Sequence, residues 1–268
     1  MEHSTENRFA PRHAMGEYLA LPKEIGAASS DALLKIADAL LLDDKLVTSD
    51  WVTQPKMIAA SALIEAALVS SETDSIDDRL QYIDVAEELS REVAEIELRK
   101  LESGHEHPDN IEAWQRAELQ ALFMDSYRDV VCGEVTTNRT KPELIDGLQT
   151  LYNSLHQRRK LTYISSHYKQ ESFGLMGEVG VLLNTWQQYH SPHDSIALPS
   201  TYRGGDGMYN PKHTHDIVFA SQSPDKPMTH WDFSYAEVKT GRGHQLEHLR
   251  RYAHPIIRVK DSGIRKVA

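Results

Sequence analysis

The sequence predicts an all-α region over residues 1–160, followed over residues 165–268 by an α/β core whose elements run helix, strand, strand, strand, helix, strand. Three observations predict it. Apolar residues in the first part recur at three- and four-residue steps, the spacing of one helix face. From Glu171 onward the pattern changes to one glycine-bearing helix and short runs rich in β-branched and aromatic residues. The charge changes sign between the two parts: residues 1–150 hold 30 acidic and 14 basic side chains, whereas residues 151–268 hold 10 and 15.

In the first part, Ser29-Ser30-Asp31 offers helix N-cap chemistry ahead of the apolar run Ala32 to Leu42. A second helix is expected over residues 51–69, its regular part confined by Pro55. Ser75 opens a third, with Leu80, Ile83, Ala86, Leu89, Val93, Ile96 and Leu98 as its apolar stripe. Residues 111–132 read as one helix, and Thr140 with Pro142 starts another through Leu144, Leu148, Leu151 and Leu155. No internal repeat of fixed period is present. The plain reading is a helical bundle or arm, acidic on its outside, open to dimerisation or to a protein partner.

The second part begins with a helix from Phe173 to Trp186, in which Gly174, Gly177 and Gly180 invite another backbone to approach. Ser195–Pro199 is a short strand. Thr214–Phe219 and Trp231–Thr240 form a hairpin about the turn-makers Ser223, Pro224, Asp225 and Pro227. His244–Ala253 has helical spacing and stops at Pro255; Ile256–Lys260 is a last strand before a basic tail.

Composition bounds the function. The 268 residues carry a net charge of −11, 26% charged residues and a single cysteine, Cys132, so neither an internal disulfide nor a cysteine-based zinc site is expected. No apolar run approaches the roughly 18 residues of a membrane span, and residues 1–8 lack the basic and apolar regions of a secretory signal. The expected setting is cytoplasmic, without a membrane partner. The net charge argues against nucleic acid on average, but the basic second part reverses that argument locally.

In the hairpin, side chains alternate, so Glu237 and Lys239 share a face, and an antiparallel turn about residues 225–227 sets Asp216 roughly opposite Glu237. Two carboxylates and an ammonium would converge. Two acids that close repel unless a cation lies between them, and hard divalent ions take carboxylate oxygens. Apolar neighbours on both faces, Ala236 and Val238 on one and Trp231, Phe233 and Tyr235 on the other, mark a strand buried on both sides. An exposed cross-strand ion pair is the bland account of Glu237 and Lys239, but burial of both without partners would be costly.

Asp216 followed twenty-one residues later by Glu237-Val238-Lys239 resembles the PD-(D/E)XK nuclease superfamily, the restriction-endonuclease-like fold. His215 stands where the proline of the name would be. The resemblance covers roughly the last hundred residues and implies an αβββαβ core. It further implies a metal-dependent deoxyribonuclease in which Asp216 and Glu237 hold Mg²⁺ or Mn²⁺. Glu178 on the first core helix would complete or support the shell, and Lys239 would position the attacking water. DNA is the implied substrate, with RNA as the alternative polymer. Gln245 and Tyr252 resemble, at seven rather than four residues apart, a pair found in RecB-like branches. Arg242, Arg250 and Arg251, with Arg258, Lys260 and Arg158-Arg159-Lys160, would meet phosphates and give salt-sensitive affinity. Two other accounts stay open. Lys212-His213-Thr214-His215-Asp216, with His230, His244, His248 and His254, suits a His-rich metallo-hydrolase. A nuclease fold can also bind nucleic acid or a partner without cutting.

Overall fold

The structure, a computed structural model, describes residues 21, 28–42, 53–69, 75–103, 108–133, 142–159, 166–188, 195–201, 216–222, 231–240, 256–260 and 263–267. Seven helices and five strands lie among them. The helices are α1 (Ser30–Leu41), α2 (Thr53–Leu68), α3 (Ile76–Glu102), α4 (Pro108–Leu122), α5 (Met124–Cys132), α6 (Pro142–Arg159) and α7 (Ser166–Gln188). The strands are β1 (Ser195–Pro199), β2 (Ile217–Gln222), β3 (Trp231–Thr240), β4 (Ile256–Lys260) and β5 (Gly263–Val267).

Local chemistry sets the helix ends. The Ser29 hydroxyl accepts the Ala32 N–H at 3.3 Å and starts α1. Ser75 accepts the Asp78 N–H at 3.1 Å and donates to the Asp78 carboxylate at 2.7 Å, satisfying orphan groups at the start of α3. Pro55 lies in the first turn of α2, where a missing N–H costs nothing. From Met57 to Leu68 every residue of α2 is buried, so this helix is apolar on all sides and central.

Three expectations need correction. The buried line of α3 runs through Arg79, Ile83, Ala86, Ser90, Val93, Glu97 and Leu101, which leaves Leu98 exposed, because a 3.6-residue period drifts off a stripe drawn at Leu98. Residues 111–132 are not one helix. The chain breaks at Phe123 (φ −99°, ψ 3°), whose buried ring meets Trp186 edge to face with centroids 6.2 Å apart. That turn aims Phe123 at α7 and returns α5 across α3. The residues read as a basic tail form β5, antiparallel to β4.

The five strands lie in the order β1-β2-β3-β4-β5. β1, β2 and β3 form an antiparallel meander; β4 returns parallel to β3, with Glu237 paired to Ile256 and Lys239 to Arg258. A parallel neighbour needs a connection of a dozen or more residues, and residues 241–255 supply it. The helix expected over 244–253, with Gln245, Arg242, Arg250, Arg251 and Tyr252, lies outside the described residues.

One hydrophobic core crosses the boundary drawn between residues 160 and 165. It contains Leu33, Ile64, Ile83 and Leu148 from the helical region and Val179, Leu182, Leu198, Ile217 and Val238 from α7 and the sheet. α6 packs against α7, and α7 against β1 and β3. Of the α7 glycines, Gly180 meets the Tyr152 ring, 3.3 Å from where a Cβ would stand, while nothing approaches Gly174. The close neighbour at Gly180 is therefore an aromatic ring of α6 rather than a backbone.

Candidate functional site

The site is built where β2 begins. The β2–β3 register pairs Ile217 with Ala236 and, one step further, would set Asp216 at the position of Glu237. The hydrogen bonds shift there by one residue. The Asp216 amide donates to the Ala236 carbonyl at 2.9 Å, and the Ser200 amide donates to the Asp216 carbonyl at 3.1 Å. The Asp216 carboxylate then takes over as an acceptor: its Oδ2 receives the Val238 N–H at 2.6 Å. Its position is thereby fixed through amide, carbonyl and side chain. A carboxylate has about four lone-pair sites and can accept from several donors at once.

Glu237 is 1% exposed. Of the β3 side chains described, residues 231–238, Asp232 and Ser234 are open to solvent; from Ala236 to Val238 three consecutive residues are buried, so both faces are covered there. The expectation of a strand buried on both sides holds for that end alone. Lys239 follows in β3 as the register partner of Arg258.

Glu178 sits on α7 and is 5% exposed. Arg116 of α4 holds both of its oxygens in a fork, Nη1 to Oε2 at 2.6 Å and Nη2 to Oε1 at 3.1 Å. The expected gathering of Glu178 with Asp216 and Glu237 into one ligand group is not present: among the described residues, no three His, Cys, Asp or Glu side chains are grouped to hold a metal ion. Asp216 and Glu237 are carboxylates, the donor type that hard divalent ions such as Mg²⁺ take. His213, His215, His230, His244, His248 and His254, the ligands of the rival metallo-hydrolase account, lie outside the described residues.

Three partners went unread in the sequence. Arg116 is one of several helical arginines, and nothing local marks it. Glu65 carried a signal: it is the one charge in Met57 to Leu68, a run that is apolar apart from Ser61. A lone carboxylate in such a helix must find a partner. Glu65, 1% exposed, accepts the hydroxyl of Thr201, just beyond β1. Tyr127, equally buried, donates to the Pro199 carbonyl at 3.3 Å. Burial first, then the Glu65 charge, raises the Tyr127 phenol far above its ordinary value, so it remains a donor.

No protein-family model, curated protein or solved structure matches the chain. Among the described residues, no helix is long and apolar enough to cross a membrane.

Proposed function

We propose that the chain is a divalent-metal-dependent nuclease that hydrolyses phosphodiester bonds, with DNA as substrate, on an αβββαβ core to which α7, β1 to β3 and β4 belong. The observation that carries this reading is that the Asp216 carboxylate receives the amide of Val238, the residue next to the buried carboxylate Glu237 in β3. The mixed sheet, a meander followed by a strand parallel to β3, supports it.

Asp216 and Glu237 would hold Mg²⁺ or Mn²⁺. When bound, such an ion polarises the phosphodiester and makes an attacking water more acidic. Asp216 is held in place through Val238, Ala236 and Ser200. Glu237 presents its charge in a water-poor environment, where electrostatic effects are larger. Lys239, two residues further along β3, would orient the water and steady the charge developing on the phosphate. Glu178 would enter the shell only by exchanging its Arg116 partner.

A second reading, a nucleic-acid or partner-binding module without cleavage, is favoured by one observation: Arg116 engages both oxygens of Glu178. Cleavage assays separate the two. Supercoiled plasmid and labelled single-stranded DNA are incubated with Mg²⁺, Mn²⁺ or EDTA and with the parent chain, Asp216→Ala or Lys239→Ala. Metal-dependent cutting by the parent, lost in both variants, is the expected result. DNA binding without cutting under any metal would establish the second reading instead.

A further inference from the structure

We propose that Tyr127 and Glu65, both contributed by the helical region, are positioning residues for the Asp216 end of the candidate metal site. The inference rests on the nuclease reading above and adds to it a task for the helices. Three consecutive residues, Pro199, Ser200 and Thr201, connect the two regions. The middle one is bound to Asp216 through its amide, at 3.1 Å from the Asp216 carbonyl. The flanking two are each held from the helical side: the Pro199 carbonyl by the Tyr127 hydroxyl of α5, and the Thr201 hydroxyl by the Glu65 carboxylate of α2. Tyr127, Glu65 and Thr201 are at most 3% exposed, so none of these bonds is exchanged readily for water. Displacement of Ser200 would carry with it the backbone of Asp216 and, through Oδ2, the Val238 amide beside Glu237. Groups that orient a metal ligand in this way commonly change metal affinity by about 10- to 100-fold when removed.

The test uses the full chain and Mn²⁺ alone. Tyr127→Phe and Thr201→Val each delete one hydroxyl and nearly preserve shape. Mn²⁺ affinity is measured by calorimetry, and hydrogen exchange is followed at the Ser200 and Val238 amides. Ile83→Val, a core change in α3 that touches none of these hydrogen bonds, serves as the control for a general loss of stability. The expected result is about a 10-fold loss of Mn²⁺ affinity in either variant, with faster exchange at Ser200 and Val238; Ile83→Val leaves both unchanged. If Asp216→Ala loses Mn²⁺ binding but Tyr127→Phe and Thr201→Val keep it, the positioning role is wrong and the metal site stands. If the variants weaken Mn²⁺ binding no more than Ile83→Val does, their role is structural only and the proposal is overturned. A parent chain that does not bind Mn²⁺ overturns the metal site and this proposal together.

Discussion

The helical region holds charge in two settings, an ion-paired outer face and a buried set of Glu65, Arg79 and Glu97, whereas the buried charges among the described residues of the sheet region are Glu178 and Glu237. On the outside of α3, Asp84, Glu87 and Asp125 share Arg128, Arg91 pairs with Glu87, and Lys56 pairs with Glu92. These pairs lie at least partly in solvent and close on themselves within the helical region. Where the two regions meet, buried carboxylates bind across the seam: Glu65 to Thr201, Glu178 to Arg116. Negative charge on the helical surface is thus a solvated face, whereas the few buried carboxylates mark places where geometry is being held. The helices act as the wall against which the sheet's polar end is set.

The sharpest way to break that comparison is at the candidate site. Asp216→Ala should reduce metal-dependent cleavage by at least about 100-fold in a plasmid nicking assay while the fold persists by circular dichroism. A similar loss from Arg91→Ala would erase the distinction between site and face. At the seam, Arg116→Ala strands a buried Glu178 carboxylate and should cost about 3 kcal/mol in urea denaturation, the low end for a broken buried pair because Arg116 is itself partly exposed. Glu178→Gln in the same background should recover part of that loss.

Smaller effects sharpen the helical side. Ser75→Ala removes both cap bonds at the start of α3 and should cost about 1 kcal/mol, read as a shift in the urea midpoint without a change in slope. Arg91→Ala on the exposed face should change stability by less than about 0.5 kcal/mol. A larger value would mean that the α3 ion pairs are more than a solvated face.

Much of this was legible in the sequence because local chemistry decided it. Ser29 and Ser75 cap the helices they precede, and β1, β3 and β4 fall on the expected residues because alternation and flanking turn-makers bound them. The antiparallel pairing of β2 with β3 followed from a hairpin centred on residues 225–227. What was not legible depended on distant contacts. The ring of Phe123, at the break, meets Trp186, sixty-three residues away. β5, with Arg265 and Lys266 among its five residues, reads as a basic tail until β4 stands beside it. Arg116 and Glu178 meet across 62 residues of sequence, and no periodicity in either helix announces the pair.

The central claim, that Asp216 and Glu237 form the metal site while Glu178 belongs to the seam, is tested most directly by Mn²⁺ calorimetry on the parent, Glu237→Gln and Glu178→Gln. Loss of binding in Glu237→Gln, with Glu178→Gln within about threefold of the parent, is the predicted result. Binding that survives Glu237→Gln, or that disappears in Glu178→Gln, would contradict it.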